Sequence, residues 1–140
     1  MARWLIVQAA VLCGPDVLSI AEASGGRTPE WGWLRWLPHF APVGSAAHHL
    51  TVVDGPWGGV RDLVDRVGTP EPGRPCLVLA PGREQLPQTC VAIVQVSDDG
   101  DLSVHDRHRG QRRDGLAVGL SLEVATAIAR DLAPIVLAAP

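Results

Sequence analysis

Three of the chain's five tryptophans fall within six residues, in the stretch Trp31-Gly-Trp-Leu-Arg-Trp-Leu-Pro-His39. No side chain buries more area than tryptophan, so whatever fold forms must accommodate this cluster. Helical spacing would put Trp33, Trp36 and Leu37 on one face and Trp31 roughly opposite Trp33. Pro38 then ends the segment, because the residue before a proline is pushed out of the α region. The stretch predicts a short amphipathic helix, either packing its indoles into a core or presenting them to a partner.

The rest of the chain sets the frame around it. Its 140 residues suit one domain, read as a single unit over 1–140. Its mean hydropathy of +0.14 is ample for a core. All twelve basic residues are arginine and the net charge is −3, which argues against a chain built to hold nucleic acid. Cys13, Cys76 and Cys90 have neither disulfide-framework nor zinc spacing and are expected reduced and buried. The apolar run 4–12 lacks a signal-peptide cleavage site and falls short of the about 20 residues a bilayer span requires, so no direct membrane insertion is expected.

Taken in order, 2–12 reads as a helix apolar nearly all round, which must be covered on both sides, ended by Gly14-Pro15. Val17-Leu-Ser-Ile-Ala21 is a strand candidate, and Thr28 with Pro29 would start the tryptophan helix. His48-His-Leu-Thr-Val-Val-Asp-Gly55 reads as a strand ending in an acid. Residues 58–68 read as an amphipathic surface helix, and Cys76-Leu-Val-Leu-Ala80 as a second apolar strand. Strand, helix and strand with short joins predict an α/β fold over 1–80, with a mainly parallel sheet and helices on both faces. Residues 90–106 predict an appended β-hairpin turning at Asp99-Gly100, followed by a charged loop over 107–115. Ser121 caps a last helix over 121–132, with Leu122, Ala125, Ile128, Ala129 and Leu132 apolar, and 135–137 is a candidate final strand.

The residues offer little chemistry. With no lysine there is no G-x-x-x-x-G-K-[ST] phosphate loop; a G-x-S-x-G elbow and zinc spacing are also absent, so no metal is expected. The strand closing on Asp54 has the form of a Walker B segment, but many strands end at an Asp-Gly turn, which is the preferred reading. His105-Asp-Arg-His108 and the arginines at 107, 109, 112 and 113 read as a solvated surface. His48-His49 lacks a partner nearby in sequence.

The order of these signatures resembles the EccC-type FtsK/SpoIIIE ATPases of actinobacterial type VII secretion systems, in the cytoplasmic stretch after the membrane anchor. The resemblance rests on Leu5…Gln8…Ala10-Val-Leu with Pro15-Asp16, on the W-x-W-x-x-W-L-P-H string and on His49-Leu-Thr-Val-Val-Asp-Gly55. It continues through Gly100-Asp-Leu, Asp114-Gly-Leu, Leu120-Ser…Ala125 and Ala129-Arg-Asp-Leu-Ala-Pro134. It implies FtsK-like P-loop ancestry, entered partway through the domain, with Asp54 at the Walker B position. It also implies a degenerate ATPase-like module acting in protein secretion, cytoplasmic or held at the inner membrane face by a partner. Expected partners are other secretion-system subunits or motor domains, with a homo-oligomer left open. The site residues are then Trp31, Trp33, Trp36, Leu37, Pro38 and His39 as core anchor or docking face, and no cofactor. ATP and Mg²⁺ enter only under the alternative of a nucleotide-binding portion completed by another chain, and an unrelated small interaction protein is the third reading.

Overall fold

The computed structural model describes residues 1–23, 29–40, 46–54, 62, 65 and 74–134. Helix α1 (Ala2–Leu12) leads into strand β1 (Leu18–Glu22), a 3₁₀ turn (Gly32–Trp36), β2 (His48–Val53) and β3 (Cys76–Val78). After a second 3₁₀ turn (Arg83–Gln85) come β4 (Ala92–Val96), β5 (Asp101–Asp106), β6 (Gln111–Leu116) and helix α2 (Leu122–Leu132). The expected helix over 58–68 lies outside the described residues except for Asp62 and Asp65, which are helical. The expected cap Thr28 and the strand at 135–137 lie outside them altogether.

The first sheet is parallel throughout, in the order β1-β2-β3. Its register places Leu18, Ile20, Leu50, Val52 and Leu77 on one face, because paired residues in a parallel ladder point the same way. That face carries the core: Ile6, Val7 and Ala10 of α1, Trp31, Trp33, Leu34 and Leu37, and Ala125 and Ala129 of α2 pack on it. The opposite face presents Ser19, Ala21, His49, Thr51 and Val53. Ser19 and Val53 on that opposite face are buried too, at 6% and 0% exposure. The described residues thus combine α-helices with a three-stranded parallel sheet and a separate antiparallel sheet. Among the described residues three strands are parallel and three antiparallel, and α1 and α2 both pack on the core face.

Helix α1 has its expected bounds, and its residues 2–10 are all buried or half-buried. Only its C-terminal end is open, with Val11 and Leu12 exposed at 56% and 77%. Ser121 caps α2 as its position predicted, its Oγ accepting from Val124 N at 3.2 Å.

The second sheet is the antiparallel meander β4-β5-β6, so a third strand replaces the expected loop over 107–115. Asp106 Oδ1 accepts from Arg109 N at 2.9 Å, and Gly110 at φ +62° lets the chain reverse before Gln111 pairs with Asp106. β6 is exposed along its whole length, so no hydrophobic alternation marked it as a strand. The exposed pairs Arg109–Asp106 (3.9 Å), at the turn before it, and Arg112–Asp114 (3.0 Å), on it, are solvent-screened and stabilise little.

Candidate functional site at the tryptophan turn

The tryptophan segment forms a 3₁₀ helix, not the α-helix its spacing suggested, and this re-sorts its faces. Leu34 N donates to Trp31 O at 3.0 Å and Leu37 N to Leu34 O at 2.9 Å. With three residues per turn, Trp31, Leu34 and Leu37 form one stripe, and all three are buried. Pro38 holds Leu37 extended (φ −71°, ψ 136°), leaving five residues for the turn, too few for a stable α-helix. Trp31 is thus not opposite Trp33. Both are 3% exposed, with ring centroids 6.4 Å apart and planes tilted by 35°. Trp36, expected beside Trp33 and Leu37 on the apolar face, instead stands 40% exposed.

Two hydrogen bonds fasten the segment to the sheet and to α1. Trp31 Nε1 donates to Asp54 Oδ2 at 2.6 Å, joining the first buried indole to the end of β2. His39 is 3% exposed and its Nε2–H donates to Cys13 O at 2.7 Å, which fixes the protonated ring nitrogen because a carbonyl only accepts. Ile20 N donates to His39 O at 2.8 Å and Phe40 bridges Ile20 in parallel, so the exit of the turn lies along β1. Pro38 is half-buried between these anchors. Asp54, the Walker B-like acid of the sequence reading, therefore spends one oxygen on an indole.

Three polar atoms in this region are buried without a hydrogen-bond partner: Trp33 Nε1, His39 Nδ1 and Glu22 Oε1. Glu22 ends β1 and pairs in register with Val52, two residues before Asp54, so both acids lie at the carboxyl edge of the parallel sheet. Among the described residues, no group of three or more metal-ligating side chains assembles there or elsewhere.

The exposed Trp36 has its own neighbours. The Arg35 guanidinium carbon lies 5.7 Å from the ring centroid and that of Arg130, from α2, lies 5.1 Å from it. Sequence reasoning did not place Arg130, ninety-four positions downstream by the residue numbers, beside Trp36; that arginine stood only within Ala129-Arg-Asp-Leu-Ala-Pro134 and in the last turn of a predicted helix. It missed equally the bond between Ser19 Oγ and His49 Nδ1, which exists because β1 and β2 pair these residues.

The cysteines lie away from this site. Cys76 is exposed and Cys13 and Cys90 partly so, against the expectation of burial; β3 is short and at the edge of the described sheet. Although Cys76 as a residue is exposed, loss of water around its thiol pushes its pKa up to about 11, with the neighbouring Cys90 adding to the rise.

No known protein-family model matches the chain. A segment of 40 residues is 48% identical to the ESX secretion system protein EccC of Thermomonospora curvata. The match covers 28% of this chain and 3% of that much longer protein, and it supports an EccC-like region and a link to type VII secretion. No helix among the described residues is long and apolar enough to cross a membrane.

Proposed function

We propose that this chain is an ATPase-like module of the type VII secretion apparatus that does not turn over nucleotide and acts through contacts with motor domains or neighbouring subunits. The observation that carries this reading is the 2.6 Å bond from Trp31 to Asp54. In a working P-loop ATPase the acid at the end of this strand holds Mg²⁺ beside the phosphates, and a lysine cradles those phosphates. Here the acid anchors a buried indole, and the sequence contains no lysine. The local likeness to EccC supplies the secretion context. The module belongs in this reading on the cytoplasmic side, with the motor.

The test is a titration of the chain into the purified cytoplasmic portion of the Thermomonospora curvata EccC, read by calorimetry and by ATP hydrolysis. Saturable binding is expected, with hydrolysis of the mixture unchanged by Asp54→Asn. No binding contradicts the proposal. Hydrolysis above that of the motor alone, lost with Asp54→Asn, transfers the reading to a nucleotide site completed between two chains.

A further inference from the structure

We infer that Trp36, Arg35 and Arg130 form a docking surface for an acidic segment of a partner protein, a carboxylate seated between the two guanidiniums with its chain against the indole. This rests on the reading above, since it names the surface through which the module meets the motor. Trp36 is the one tryptophan of its cluster turned outward, at 40% exposure, while Trp31 and Trp33 are buried at 3%. Two cations from different elements converge on its ring, at 5.7 and 5.1 Å. Both arginines are exposed, and neither forms an ion pair with a carboxylate among the described residues, although Asp131 adjoins Arg130 in sequence.

Two like charges drawn to one ring repel each other, so an anion entering between them gains from both. A guanidinium presents its N–H groups as a flat fork that matches a carboxylate in two-point contact. Cations over an aromatic face remain available to such an anion at their edges. Tryptophan and arginine are the residues enriched where protein interfaces concentrate their binding energy, and a rigid indole loses little entropy on being covered. The foundation is firm, because the turn is pinned through Trp31 to Asp54 and through His39 to Cys13 O, and α2 packs on it. A surface held this way binds without first ordering itself.

The experiment measures affinity for the cytoplasmic portion of EccC with the wild type, Trp36→Ala and Arg130→Glu, at low and high salt. Trp36→Ala should weaken binding by about 30-fold, the loss typical of an interface hot spot. Arg130→Glu should weaken it by about tenfold or more at low salt, with a smaller difference at high salt as screening grows. Neither change should move the melting midpoint appreciably; should Trp36→Ala fail to fold, Arg130→Glu decides alone. Wild-type binding that both variants retain within about twofold overturns the surface and leaves the motor contact standing. A wild type that does not bind overturns both.

Discussion

Asp54 lies one residue beyond β2, and its carboxylate accepts the indole N–H of Trp31, which is buried. Truncating it with Asp54→Ala leaves that N–H without its acceptor, at a cost of about 1–3 kcal/mol. A thermal melt should show a midpoint several degrees lower; an unchanged midpoint would mean that the bond contributes nothing. Cys76 gives a second prediction at this scale. Desolvation of its thiol, reinforced by Cys90, raises its pKa from 9.0 to about 11, so little thiolate forms near neutral pH. The folded state favours the protonated thiol, so its contribution to stability is complete below pH 9 and fades as pH rises towards about 11. Alkylation of Cys76 at pH 8, followed by mass spectrometry, should be slower than that of the same residue in urea; equal rates would contradict the shift. The tryptophans, the acid and the cysteines were each singled out in sequence. The pairing of Trp31 with Asp54 was not, because no spacing rule links an indole to a carboxylate 23 residues away.

At the scale of elements, legibility followed hydrophobic patterning. Helices α1 and α2, with Ser121 as cap, and the parallel strands each carried an apolar period or run, and they form close to where those patterns put them. β6 carried none: with Arg112, Arg113 and Asp114 in an exposed strand, only backbone pairing and the turn at Gly110 place it. The tryptophan turn misled for another reason. Its apolar residues satisfy either a 3.6 or a 3.0 period over so short a span, and Pro38 decides between them. Ser121→Ala removes the acceptor for Val124 N and should cost about 1 kcal/mol, visible as a lower midpoint without loss of binding. Gly110→Val forces a branched residue to φ +62°, at a cost of about 1–2 kcal/mol. The amides of β6 should then exchange hydrogen faster while those of α1 do not; acceleration in both would mean that meander and core open together.

At the scale of the whole molecule, the described residues divide between a packed α/β core and an exposed meander. The core joins α1, the tryptophan turn, α2 and one side of the parallel sheet, whereas the meander is largely exposed. Within that arrangement the indoles divide too, with Trp31 and Trp33 inside and Trp36 outside between two arginines. That distribution suits a module that works by contact. The resemblance in the order of motifs is what suggested the proposed ATPase-like module, whereas the contact made by Asp54 depends on tertiary structure. The most direct measurement is therefore a thermal melt of the wild type and of Asp54→Asn, each with and without millimolar ATP and Mg²⁺. A nucleotide present at about 100 times its Kd would add about 2.7 kcal/mol and raise the midpoint by several degrees. The account predicts no shift on adding nucleotide to either protein. An upward shift in the wild type that Asp54→Asn abolishes would contradict it, and would make Asp54 part of a nucleotide site.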